Sequence, residues 1–159
     1  MRPFEGIKVI DVTHVLAGPF AAYQLALLGA DVIKVEDPHE CDQSRESGSD
    51  HDLSDAKMGL GFATQASNKR AITVNLKSAK GQEIIKRLAK DADVFVENYR
   101  AGAFKKLGLG YDELSKINPR LIYCSMTAFG QDGPRGHMTA YDHAIQSSSG
   151  MIRTTGTPE

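Results

Sequence analysis

Tryptophan is absent from these 159 residues, cysteine occurs twice and aromatic residues make up only 7% of the chain. Cys41 lies in a polar stretch and Cys124 inside an apolar run, so no disulfide framework is expected and a reduced, cytoplasmic chain is the simpler reading. Charge of one sign is missing too. With 19 basic and 20 acidic residues the formal net charge is −1, which provides no field to draw in nucleic acid or an anionic membrane. No apolar run reaches membrane-spanning length without charges, and the start, MRPFEGIKVIDV, has no long apolar segment after its basic residue. Neither nucleic acid nor membrane is therefore expected as a partner, and any anion must be held locally.

What is present is an ordinary globular composition, 41% hydrophobic and 25% charged, in a length suited to one domain with its own core. Short β-branched runs alternate with helical patterns. GIKVIDV reads as a strand, GPFAAYQLALLG as a helix closed by Gly29, and ADVIKVE as a second strand. AITVNL then precedes SAKGQEIIKRLAKDA, where Ile84, Ile85, Leu88 and Ala89 share a helical face and Ser78 is a natural N-cap. DVFVENY, the helical pieces AGAFKKLG and YDELSKI, the strand LIYCSMTAF and a last helix over AYDHAIQSSSG complete the series, ahead of MIRTTG. Strands separated by helices of this length pair in parallel. The fold class expected is α/β, a Rossmann-like, doubly wound, mainly parallel sheet.

Residues 37–67 break the rhythm. Rich in Asp, Ser and Gly and without sustained periodicity, they read as an irregular polar loop. The spacings of His39 with Cys41 and of Asp50, His51 and Asp52 match no standard ligand pattern, so a solvated loop is favoured over a metal site. The chain shows no internal repeat and no second domain.

DVTHVLAGPF, residues 11–20, runs from strand to helix where α/β proteins hold anions. Pro19 suits a first helical turn, and Gly18 lets something come close. Glu36 ends the second strand, where a dinucleotide fold puts its ribose-binding acid. A nicotinamide-dependent dehydrogenase domain is thus one reading, but THVLAGP is not the glycine-rich fingerprint that wraps a pyrophosphate.

Four stretches together carry a more specific signal: GIKVIDVTHVLAGPFAAYQLALLGADVIKVEDP, SNKRAITVNLKSAKG, DADVFVENYRAGAFKKLGLGYDELSKINPRLIYCSMTAFGQDGP and AYDHAIQSSSGM. They resemble the amino-terminal portion of the family III CoA-transferases, the group of formyl-CoA transferase and carnitine CoA-transferase, with α-methylacyl-CoA racemase as a relative. The resemblance implies that residues 1–159 are the amino-terminal part of a CoA-binding α/β domain, a fragment of a larger fold in which two chains interlock as a homodimer. It implies transfer of CoA from an acyl-CoA donor to a carboxylate acceptor through an aspartyl acyl anhydride. Such a nucleophile needs no metal and no tightly bound cofactor; coenzyme A is substrate.

Residue by residue, the resemblance places Val15, Leu16 and Ala17 against CoA, with Val74, Asn75, Leu76 and Lys77 as a second contacting stretch. Asn98, Tyr99 and Arg100 form a third, Lys106 stands near the CoA phosphates, and Ala140 with Tyr141 falls in a fourth. Without the resemblance, Asn98 and Arg100 read equally as loop polar groups, Lys77 and Lys106 as solvated charges and Tyr99 as core. Asp37 stands where several members have an arginine near the phosphates, which leaves Arg45 or Lys34 to supply charge instead. The family aspartate follows a TTG segment, here Thr154 to Gly156, and is expected beyond Glu159, which leaves no catalytic residue to name. Asp142 reads as a helix cap and His143 as structural. Racemase relatives carry a histidine where Tyr141 stands, so transfer is favoured over racemisation. A CoA-binding module without activity is the remaining alternative.

Overall fold

The computed structural model describes residues 1–156. Five strands, β1 (Lys8–Val12), β2 (Asp31–Glu36), β3 (Arg70–Thr73), β4 (Val94–Glu97) and β5 (Ile122–Ser125), form one sheet in the order β3-β2-β1-β4-β5. Every pairing is parallel. The register sets Asp11 beside Lys34, Val12 beside Glu97, Glu36 beside Thr73 and Glu97 beside Ser125.

The described residues hold eight helices, α1 (Ala17–Leu27), α2 (His51–Asp55), α3 (Leu60–Ala66), α4 (Ala79–Lys90), α5 (Ala103–Lys106), α6 (Tyr111–Ile117), α7 (Asp142–Ser149) and α8 (Met151–Thr154), of which α7 and α8 follow the last strand and bury no residue. The two faces of the sheet bury separate clusters because side chains alternate along each strand. Ile10, Val12, Val35 and Phe95 pack with Ile85, Ala89, Phe104 and Leu114 of α4, α5 and α6. Val9, Val32 and Val96 pack with Ala22 and Ala26 of α1. Each fully buried Val, Ile, Leu or Phe among them contributes roughly 1.5–3 kcal/mol.

Pro19 is the third residue of α1, where its missing N–H leaves no bond unmade, and α1 ends as expected before Gly29 at φ 108°. The Ser78 hydroxyl accepts the Gly81 amide at 3.0 Å and caps α4. On α4, Ile85 and Ala89 are buried, whereas Ile84 stands at the margin of the face, 41% exposed.

Residues 37–67 are not a bare loop. A 3-10 turn at Gln43–Glu46 and helices α2 and α3 occupy much of the segment. Short length and polar composition hide these turns from a periodicity reading, since one or two turns never repeat the pattern. MIRTTG likewise begins with the single turn α8.

Candidate functional site

The carboxyl ends of β1 and β4 are neighbours, yet the chain leaves them in opposite directions, towards β2 and towards β5. Open parallel sheets hold ligands at such a switch point. Here the two departing turns are joined. Asn98 Oδ1 accepts the His14 amide at 2.9 Å, and Asn98 Nδ2 donates to the His14 carbonyl at 2.8 Å. His14 Nε2 lies 2.6 Å from the Tyr99 hydroxyl, with the rings edge to face. Burial and the nearby Lys34 ammonium hold the His14 pKa below its ordinary value. Burial, with Asp37 and Glu97 in reach, pushes the Tyr99 phenol up to about 12. Near neutrality a neutral imidazole and a protonated phenol therefore share one hydrogen bond.

Behind this junction the sheet face that packs on α1 turns polar. Val9 and Val32 give way along their strands to Asp11 and Thr13, and to Lys34 and Glu36, all four buried. Lys69 Nζ reaches Asp11 Oδ2 at 2.7 Å and the Pro19 carbonyl at 2.8 Å, and burial lowers its pKa against the pull of Asp11. The Thr13 hydroxyl and amide both donate to Asp11 Oδ1. Lys34 Nζ donates to the Thr13 carbonyl at 2.8 Å and to Asp42 Oδ2 at 3.2 Å. The other oxygen, Asp42 Oδ1, accepts the Val15 amide at 3.1 Å and the Ser44 amide at 3.0 Å. Burial would raise the Asp42 carboxyl, but Ser44, Lys34 and Val15 hold it below its ordinary value.

Glu36 is fully engaged. Arg45 grips it with Nε at 2.9 Å and a terminal nitrogen at 2.6 Å, while the guanidinium lies 3.6 Å from the centre of the Phe62 ring. Burial alone would raise the Glu36 carboxyl; the Arg45 and Asp42 hydrogen bonds bring it below its ordinary value. The ribose-binding acid of a dinucleotide reading is thus already occupied. Arg45 and Lys34 are also committed to protein partners, which removes both as replacements for the arginine that Asp37 displaces. Glu97, by contrast, is raised by burial, although it accepts the Tyr99 amide at 2.8 Å and the Ser125 hydroxyl.

The candidate contacting residues fall into two groups. Val15, Leu16 and Ala17 follow His14, which bonds Asn98 and Tyr99 at the switch point; Leu16 is 58% exposed and Arg100, next to Tyr99 in the chain, is exposed. In the second stretch, Val74 and Leu76 turn their side chains into the core, leaving Asn75 and exposed Lys77 for contact. Lys106 is exposed on α5, Ala140 is half-buried, and Tyr141 is 72% exposed at the start of α7. Asp142 does not cap that helix: it is the first helical residue, and its carboxylate accepts the Gln146 side-chain amide. His143 is exposed on the same helix. Thr157, Pro158 and Glu159, next to the expected nucleophile, lie outside the described residues.

Sequence reading missed His14, Asp42 and Lys69. The signal for Lys34 and Glu36 was legible: Val32, Lys34 and Glu36 share a strand face, so two charges sit on a side that begins apolar. Gly18 does have a close neighbour, but it is the Thr13 side chain of the same turn rather than a ligand or another backbone. Among the described residues no group of three or more His, Cys, Asp and Glu side chains is gathered to hold a metal, and no helix is long and apolar enough to cross a membrane.

A parallel sheet with a switch-point turn free of the dinucleotide fingerprint defines an α/β binding fold, and its sequence places it in a family. Residues 4–159 match the model of CoA-transferase family III, and the chain belongs to that family. It is 44% identical over 156 residues to mouse (Mus musculus) succinyl-CoA:glutarate CoA-transferase, covering 98% of this chain and 35% of that one. With acetyl-CoA:oxalate CoA-transferase of Acetobacter aceti it shares 43% identity, over 99% of this chain and 39% of the relative. A crystal structure of a CAIB/BAIF family protein from Brucella suis superposes with a TM-score of 0.89 at 39% identity, over 99% of this chain and 42% of that one. The chain thus spans between a third and two fifths of the length of these curated relatives.

Proposed function

We propose that these residues form the CoA-binding α/β portion of an enzyme that moves CoA from an acyl-CoA donor to a carboxylate acceptor. The observation that supports this most directly is the junction at the switch point of a family III sheet, where His14, immediately before the matched segment Val15–Ala17, bonds Asn98 of the matched segment Asn98–Arg100. The turn after β1 offers exposed Leu16 and Ala17 to the adenine or pantetheine surface, and Asn98 fixes that turn against β4. Val74–Lys77, Lys106, Ala140 and Tyr141 complete the contact through main chain, Asn75 and the two ammonium groups.

In the reaction a catalytic aspartate attacks the thioester carbonyl. The C–S bond breaks, CoA leaves as a thiolate, and the acyl group remains on the carboxylate as a mixed anhydride. Asp142 does not supply that aspartate, because its exposed carboxylate is turned to Gln146. We place the enzyme in the cytoplasm as an interlocked homodimer, without a tightly bound cofactor. Racemisation is disfavoured because Tyr141 occupies the position of a histidine base, and tyrosine is a poor base near neutrality.

The test mixes formyl-, succinyl- and acetyl-CoA with a panel of carboxylates, comparing the 159 residues alone with a chain extended to the relatives' length. The extended chain exchanges CoA and gives a hydroxylamine-trappable acyl-enzyme; the 159 residues alone do neither. Exchange of the α-proton of a 2-methylacyl-CoA at enzymatic rate, without CoA transfer, would contradict the assignment.

A further inference from the structure

Val15 has φ 70°, a left-handed conformation that a β-branched residue adopts only under constraint. The constraint is visible on three consecutive residues. Lys34 holds the Thr13 carbonyl, Asn98 holds both main-chain groups of His14, and Asp42 holds the Val15 amide. Of these, Asp42 acts at the strained residue itself. It comes from residues 37–67, read in the sequence as solvent-facing, yet its side chain is 1% exposed. Lys34, equally buried, is fixed by the Thr13 carbonyl on one side and neutralises Asp42 on the other. Ser44 fills the remaining acceptor capacity with its amide and its hydroxyl. A carboxylate given this many donors is not placed for solvent; it is a rigid post against which the turn is set.

We propose that Asp42, seated on Lys34, is a positioning residue for CoA binding: it keeps Val15 left-handed and so presents Leu16 and Ala17 to the crevice between β1 and β4. This rests on the CoA-binding reading of that crevice. Asp42 touches no ligand; it acts through Val15. Arg45, three residues past Asp42, anchors the same segment to Glu36 without bonding the turn, which separates loosening of the segment from loss of the hold on Val15.

The test measures CoA affinity by calorimetry and the exchange rate of the Val15 amide by NMR. It uses the wild type, Asp42→Ala, Arg45→Lys, Val15→Gly and the double variant D42A/V15G. D42A weakens CoA binding on the order of ten-fold and loses Val15 amide protection, in keeping with the cost of a strained non-glycine residue. On the V15G background the same change has less than about three-fold effect, since glycine takes that conformation freely. R45K lowers the thermal midpoint and leaves both CoA affinity and the Val15 amide unchanged. If D42A does not fold, Asp42→Asn on the two backgrounds gives the same comparison at smaller amplitude. Equal Val15 protection with and without the Asp42 carboxylate overturns the positioning role, as does an equal loss of affinity on both backgrounds. A wild type that protects Val15 in an Asp42-dependent way but binds no CoA overturns the functional reading instead.

Discussion

Asn98 and His14 are 84 residues apart in the chain, yet the Asn98 side chain donates to and accepts from the His14 main chain at 2.8 and 2.9 Å. A side-chain amide here takes the place of a strand pairing. It carries the β1–β4 contact beyond the last ladder residues, Val12 and Glu97, and fixes the turn that the proposed ligand meets.

Replacing Asn98 by alanine leaves a donor and an acceptor of His14 without partners. The expected loss is about 2 kcal/mol of stability, together with weaker CoA binding. Urea unfolding followed by circular dichroism checks the first and calorimetry the second. Unchanged values for both would show that the clamp is incidental.

His14 gives the junction a pH dependence of defined sign. Its folded pKa lies below the ordinary 6.5 because of burial and Lys34, so the fold favours the neutral ring. That contribution is complete above the unfolded value and is lost as pH falls through the lower folded one. His14→Gln keeps a hydrogen-bonding group near Tyr99 but does not titrate. Unfolding midpoints of the two proteins measured from pH 7.5 down to 5 should show the wild type losing stability relative to the variant. A constant difference would place the imidazole in solvent-like surroundings.

Gly18 is required by its own turn. A methyl group there would press on the Thr13 Cβ and Cγ2 well inside van der Waals contact, and the hydroxyl of Thr13 is fixed on buried Asp11. Gly18→Ala should cost about 1–3 kcal/mol, as overpacking does. On a Thr13→Gly background the cost should shrink, because the obstructing Cβ and Cγ2 are both gone. Equal costs on both backgrounds in denaturant titrations would refute the steric account.

Much of the architecture could be read from residue order. The runs around Val9, Val32 and Phe95 are β-branched or aromatic and short, and the helical face of Ile85 and Ala89 is periodic, so strands, helices and parallel pairing follow from local pattern. The turn after β1 was legible as a strand-to-helix turn for the same reason. Residues 37–67 were not, because Asp42 and Arg45 are polar residues buried by partners, Lys34 and Glu36, that lie eight and nine residues earlier. Burial through long-range pairing leaves no periodic trace. His14 escaped notice likewise, since its meaning depends on Tyr99, across the sheet.

The most direct measurement of the central claim is titration of the 159-residue chain with CoA and, separately, with NAD. The switch-point turn lacks a dinucleotide fingerprint, and Arg45 occupies Glu36, so CoA should bind more tightly and NAD should give no saturable heat. Saturable binding of NAD with none of CoA would contradict the account.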